Sequence, residues 1–188
     1  MDKTILYRAF KKHGTDKGWL HDYSEMYADV FTYVPLPKTI VEVGVKQGKS
    51  LAVWCELFPA AHVIGIDNNP DIQIVPPARS AEIILSSSLK PELVDHLGRD
   101  CDIVIDDGNH NVDAQWKTFK NLFRVCTQVY VIEDIYGIAD VEKLEALLAK
   151  NNVMKVKRYA SKEVNATVKL KDGTDSPPFD FFSLVIRR

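Results

Sequence analysis

Apolar residues along the chain fall into two kinds of run. Short unbroken runs rich in β-branched residues, at 39–43, 62–66, 81–85, 101–105 and 129–132, predict strands buried on both faces. Between them lie stretches with helical spacing. These are 49–58 (Leu51, Trp54, Cys55, Phe58), 90–97 opened by Pro91, 112–124 (Trp116, Phe119, Leu122, Phe123) and 138–150 (Val141, Leu144, Leu147, Leu148). Two further strands are expected at 153–159 and 181–186, with no helix between them. Ahead of the first strand, 4–12 and 22–31 read as helices around a polar loop, 13–18, punctuated by Gly14 and Gly18.

Strands that alternate with helices build a parallel sheet covered on both faces. Two final strands without a crossover helix must pair antiparallel, since a parallel pair needs a long connection. The expectation is an α/β, Rossmann-like, seven-stranded mixed sheet with its last strand antiparallel. It forms a single domain over 1–188: a helical N-terminal cover at 1–37 and a core at 38–188, with a polar excursion at 160–179.

Composition narrows the class. The 188 residues suit one full-sized core, and 46% hydrophobic with 27% charged residues is globular. A net charge of −2 without Lys/Arg runs argues against a nucleic-acid partner. Cys55, Cys101 and Cys126 are scattered, as buried thiols in a reducing cytoplasm would be. No apolar run reaches the length of a membrane span, and the N-terminal residues carry no signal pattern.

Candidate chemistry collects at strand ends, where open α/β sheets bind ligands. Gly44 and Gly48 bracket the turn after the first strand, and the helix starting near Lys49 and Ser50 offers free N–H groups. Asp67, followed by Asn68, ends the second strand, where a carboxylate takes both hydroxyls of a ribose. The spacing G-x-x-x-G does not meet the dinucleotide fingerprint, and Glu42 beside the turn disfavours a phosphate. A ribose with a cationic or zwitterionic end fits better, and S-adenosylmethionine is such a ligand. Taken alone, the stretch is equally an ordinary βαβ unit. Asp106 and Asp107 end the fourth strand and Glu133-Asp134 the fifth; neighbouring strands lie about 5 Å apart. Asp107 and Asp134 then suit a hard divalent ion such as Mg²⁺, and His110 suits a general base. On residues alone, His13 and His21 read as surface or lid residues, and Lys17 and Arg79 as solvated charges. Ser86 to Ser88 either cradle an adenine or simply end a strand.

Together, His13-Gly14-Thr15-Asp16-Lys17-Gly18 with His21-Asp22-Tyr23, Val41-Glu42-Val43-Gly44, Ile105-Asp106-Asp107-Gly108-Asn109-His110 and Val131-Ile132-Glu133-Asp134 resemble a known family. It is the class I S-adenosylmethionine-dependent O-methyltransferases of the macrolide-sugar type, with the related cephalosporin-biosynthesis proteins. The resemblance implies Mg²⁺-assisted methyl transfer to a hydroxyl of a small molecule or glycan. It implies a donor site from Thr15, Lys17, Glu42, Gly44, Gly48, Ser50, Asp67, Asn68, Ser87 and Asp106. It further implies Asp107 and Asp134 as metal ligands and His110 as the base. Three positions depart from the family pattern: Ser86 to Ser88 replace an acid, Ala114 a histidine and Thr127-Gln128 a glycine pair. The larger relatives carry an extra N-terminal domain, so the acceptor is not carried over, and homo-oligomer formation stays open. The competing expectations are a nucleoside-binding module without turnover and an NAD-dependent oxidoreductase.

Overall fold

The computed structural model describes residues 1–72, 81–97, 100–160 and 181–188. The expected excursion at 160–179 and Arg79 therefore lie, apart from Ala160, outside the described residues. In chain order the elements are α1 (Lys3–His13), α2 (Asp16–Trp19), α3 (Ser24–Tyr33), β1 (Thr39–Val43), α4 (Lys49–Leu57), β2 (His62–Asp67) and β3 (Glu82–Leu85). There follow α5 (Leu93–Leu97), β4 (Cys101–Asp106), α6 (Val112–Leu122), β5 (Cys126–Tyr136), α7 (Gly137–Lys150), β6 (Val156–Ala160) and β7 (Phe181–Arg187). The sheet order is β3-β2-β1-β4-β5-β7-β6. β1 to β5 pair in parallel, and β7 runs antiparallel to both β5 and β6. The expected seven-stranded mixed sheet is therefore present. Among the described residues no helix is long and apolar enough to cross a membrane.

Strand alternation divides the core in two. Ile40, Ile103, Ile105, Val129 and Val131 face one way, against Leu6, Phe10, Tyr27, Phe31 and Trp54 of α1, α3 and α4. Val41, Val43, Val104, Tyr130 and Ile132 face the other way, against α5, α6 and α7. Trp54 centres the first layer, with its ring 4.8 Å from Tyr27 and 5.8 Å from Phe10. The N-terminal helices are thus part of the core packing, not an appendage.

Three local departures from expectation matter for the site. The loop at 13–18 contains a helical turn, α2, because Thr15 Oγ1 caps it by accepting from the Lys17 amide. The fifth strand runs far beyond 129–132, since β7 pairs along its whole length. Within it, Ile132 pairs with Leu184 and Ile135 with Phe182, so Glu133 and Asp134 together oppose one residue. That is a β-bulge, and Asp134 adopts φ 51° within it.

The parallel winding reverses between β1 and β4, where the loops after both strands meet. The Asp107 amide donates to the Val43 carbonyl at 3.0 Å. Gly44 has φ +89°, and a Cβ there would lie 2.0 Å from the Asp107 carbonyl oxygen. Gly14 also has positive φ (+66°), but a Cβ there would meet nothing within 4 Å. Gly44→Ala is accordingly expected to cost about 3 kcal/mol or more, and Gly14→Ala about 1 kcal/mol. Urea denaturation of both variants checks this; equal losses would mean that backbone conformation alone sets the cost.

Candidate active site

Two cavities meet along the C-terminal edge of the parallel strands. One, of about 430 Å³, is lined by Thr15, Gly44, Lys46, Ser50, Asp107, His110 and Asp134 among others. The other, of about 350 Å³, is lined by Asn68, Ser86, Ser87, Ser88, Leu89 and Asn109 among others. Gly44, Asp67 and Gly108 line both, so they form the seam. Asp67 is oriented there by backbone donors: Val45 N at 2.8 Å and Lys46 N at 3.2 Å on Oδ2, and Asn69 N at 2.8 Å on Oδ1.

Of the residues implied for a donor site, Thr15, Gly44, Ser50, Asp67, Asn68 and Ser87 are on the cavity walls. Four lie behind them. Glu42 is fully buried, with Oε2 accepting from Trp54 Nε1 at 2.7 Å. Gly48 caps α4 in a left-handed conformation. Asp106 is buried on the sheet face opposite Glu42, near Tyr130, because alternation along β4 turns it there. Lys17 is only 1% exposed, so the expectation of a solvated charge is corrected. His21, expected at the surface, is also buried and stacks on Tyr23.

Lys17 reaches under the rim from α2. Its Nζ lies 2.6 Å from Asp107 Oδ2, 2.5 Å from Glu133 Oε2 and 3.4 Å from Glu42 Oε1. One ammonium thus meets acids from β1, β5 and the end of β4. From α3 the Tyr27 hydroxyl donates to Glu133, and from its N-cap position the Tyr23 hydroxyl donates to Asp134. The bulge makes this possible, since consecutive residues of a regular strand would face opposite ways. Gln115 Nε2 donates to the Glu133 carbonyl at 2.9 Å and fixes the bulge from the other side.

The electrostatics follow from burial and crowding. Burial works to raise the pKa of Asp107, but Lys17 and His110 outweigh it and bring the carboxyl down to about 2. Burial drives Glu133 well above the usual carboxylate range, and the neighbouring acids Asp107, Asp134 and Glu42 add to it against Lys17. Burial also raises Glu42. For His110 burial works downward, and the Asp107 and Asp134 carboxylates prevail, so its pKa lies above the ordinary imidazole value.

Asp107, His110 and Asp134 each offer one ligand atom, and these lie within 4.8 Å of one another. His110 Nε2 is 3.4 Å from Asp107 Oδ1 and 3.8 Å from Asp134 Oδ2. It is buried and makes no hydrogen bond, as a donor atom waiting for a cation or a proton would be. On the other ring side, Nδ1 is 3.2 Å from the Tyr136 hydroxyl. The two carboxylates therefore fit a hard divalent cation, with the imidazole beside it.

By spacing alone, Tyr23 and Tyr27 read as core aromatics of a helix face. Their separation of four carries a further signal, since phenols on one buried stripe need polar partners. Nothing in the local sequence marks Tyr136.

No family model matches the chain. The chain is 31% identical over 141 residues, 66% of its length, to the 8-demethyl-8-alpha-L-rhamnosyl tetracenomycin-C 2'-O-methyltransferase of Streptomyces olivaceus. It is 27% identical over 146 residues, 70% of its length, to the 8-demethyl-8-(2-methoxy-alpha-L-rhamnosyl)-tetracenomycin-C 3'-O-methyltransferase of the same organism. These matches span 36% and 37% of those relatives. In fold, the chain is similar to MycE methyltransferase from the mycinamycin biosynthetic pathway, solved in complex with Mg and SAH. The TM-score is 0.69 at 21% identity, over 97% of this chain and 54% of that one.

Asp106 offers a test independent of any ligand. Burial pushes its pKa up to about 7 from 3.8, with the Gly108 amide, at 3.4 Å, opposing. A carboxyl raised on folding costs stability as pH climbs from its unfolded toward its folded pKa. In metal-free protein, Asp106→Asn should therefore gain on the wild type between about pH 4 and 7, by about 1 kcal/mol per pH unit. Denaturant melts across that range read the gap; a pH-independent gap would refute the shift.

Proposed function

We propose that the chain, related to the class I S-adenosylmethionine-dependent O-methyltransferases of the macrolide-sugar type, transfers a methyl group from S-adenosylmethionine to a hydroxyl of a small molecule or sugar, assisted by Mg²⁺. The two Streptomyces relatives are named as O-methyltransferases of rhamnosyl-bearing tetracenomycin-C compounds, and MycE was solved with Mg and SAH. The observation that carries the reading is the pairing of a two-chambered cleft, with Asp67 at its seam, and an acid-histidine cluster beside one chamber. The domain reading is the same: 1–188 acts as one catalytic unit, in the cytoplasm.

Within this reading Asp67 receives the ribose hydroxyls. Oδ1, with one backbone donor, keeps acceptor capacity for them, while Oδ2 already accepts from two amides and is fixed in place. Asn68 and Ser87 line the chamber on the nucleoside side, and Thr15 and Ser50 the chamber on the amino-acid side. Asp107 and Asp134 hold the cation. When bound, S-adenosylmethionine would supply the methyl group, and Mg²⁺ would supply Lewis-acid polarisation of the acceptor hydroxyl. His110 takes the hydroxyl proton at Nε2. The Tyr136 hydroxyl, by accepting from Nδ1, selects the tautomer that leaves Nε2 bare. Tyr23, by holding one oxygen of Asp134, aims the other at the cavity.

Isothermal titration with S-adenosylmethionine, with and without Mg²⁺, tests the reading; no binding at millimolar donor defeats it. His110→Ala should lower methyl transfer by about 10²-fold or more and leave donor affinity within about threefold. Asp67→Ala should instead weaken donor binding by about tenfold or more, from lost hydrogen bonds to the diol. A His110→Ala variant that keeps both turnover and donor affinity would favour the binding-module reading.

The pH dependence has a definite sign. His110 must be neutral to accept a proton, and the nearby carboxylates favour its charged form. A divalent ion on those carboxylates reverses the bias. The acid limb of the rate profile should move to lower pH as Mg²⁺ approaches saturation. A limb that is fixed, or that moves upward, would remove His110 from the base role.

A further inference from the structure

We propose that Ser87 makes the nucleoside chamber permissive at the purine 6-position: the base is held through its ring nitrogens, and the 6-amino group is not selected. This rests on the S-adenosylmethionine reading of the cleft. Among the described residues, Asp67 is the one carboxylate on the walls of the chamber of about 350 Å³, and its Oδ2 is taken up at the seam by the Val45 and Lys46 amides. The other polar side chains of the wall are neutral: Asn68, Ser86, Ser87, Ser88 and Asn109.

Most of the oxygens of this wall already accept from the protein. Ser87 Oγ accepts from the Leu89 amide at 3.3 Å, and the Ser87 carbonyl from the Lys90 amide at 3.1 Å. From α6, Asn121 Nδ2 donates to the Ser88 carbonyl at 3.0 Å, and Thr118 Oγ1 lies 3.0 Å from Ser88 Oγ. In the loop after β4, Asn109 Oδ1 accepts from the Asn111 amide at 3.0 Å. What this leaves toward a ligand is mainly donors. They are the Ser87 hydroxyl proton, Asn109 Nδ2, and the Ser87 and Ser88 backbone N–H groups, which donate to no protein acceptor among the described residues. Purine ring nitrogens are acceptors and suit such a wall. An exocyclic amine is a donor, and the acceptor that reads it most strongly is a carboxylate. Here it meets only neutral oxygens, with those of Ser87 and Asn109 already accepting one bond each, so its removal costs little.

The test compares S-adenosylhomocysteine with its analogue carrying hydrogen in place of the 6-amino group, by isothermal titration on the full chain. The wild type should bind the two within about threefold of each other. Ser87→Asp keeps an acceptor for the Leu89 amide and adds a second carboxylate oxygen, so it should favour the amino-bearing ligand by about tenfold or more. Ser87→Ala should weaken both ligands by the same factor. A wild type that binds the analogue about tenfold more weakly, or worse, selects the amino group; that overturns the proposal and leaves the donor site standing. Ser87→Asp without a new preference removes Ser87 from the role, and so does Ser87→Ala that weakens S-adenosylhomocysteine alone. Should Ser87→Asp not fold, the wild-type and Ser87→Ala affinities decide. No binding of either ligand at millimolar concentration defeats the methyl-donor reading itself, and this proposal with it.

Discussion

A single buried ammonium ties the rim of the sheet together. Lys17 Nζ, itself only 1% exposed, bridges acids carried by, or just beyond, three separate strands, with two of the acids fully enclosed. Removing one partner of a buried ion pair costs about 3–5 kcal/mol, since the charges left behind have no compensation. Here one cation serves three such partners. The N-terminal helices are therefore bound to the sheet twice, by the aromatic layer around Trp54 and by this polar knot. Cover and sheet edge are one construction.

Two backbone features make the knot geometrically possible. The bulge at Glu133-Asp134 sends two consecutive carboxylates toward the same helices, where Tyr27 and Tyr23 receive them. The left-handed turn at Gly44 lets the loop after β4 close against the loop after β1, which sets Asp107 beside Lys17. The first is unfavourable locally, and the second is open only to glycine. Asp134 holds a positive φ without being glycine, and Gly44 tolerates no side chain. Local strain of this kind persists only where surrounding contacts over-determine it. At this rim those contacts are the pairing with β7, the Tyr23 and Gln115 hydrogen bonds around the bulge, and the Asp107 amide on the Val43 carbonyl.

Much of the fold is legible in the residues. Apolar runs of strand length, alternating with helical spacing, specify a covered parallel sheet, and the missing final crossover specifies the antiparallel end. Acids at Asp67, Asp107 and Asp134 are readable as strand-end groups for the same reason. What escapes is the division of labour among them. Glu42 and Asp106 look like cavity residues in sequence, yet alternation buries them on opposite faces. Lys17 sits in a polar, glycine-flanked segment that reads as exposed loop, and its burial depends on Glu42, Asp107 and Glu133, the last two 90 and 116 residues away. The bulge has no glycine or proline to announce it. It arises from pairing with β7, which is a tertiary event.

If this rim holds a nucleoside and a divalent cation side by side, with Lys17 beneath them, one crystal will display all three at once. It would be grown with Mn²⁺ and S-adenosylhomocysteine, and anomalous data would be collected above the manganese absorption edge. The expected result is one anomalous peak between Asp107 and Asp134, the ribose on Asp67, and Lys17 still bridging Glu42 and Glu133. A peak in the position of the Lys17 ammonium, or a nucleoside bound away from Gly44 and Asp67, would contradict it.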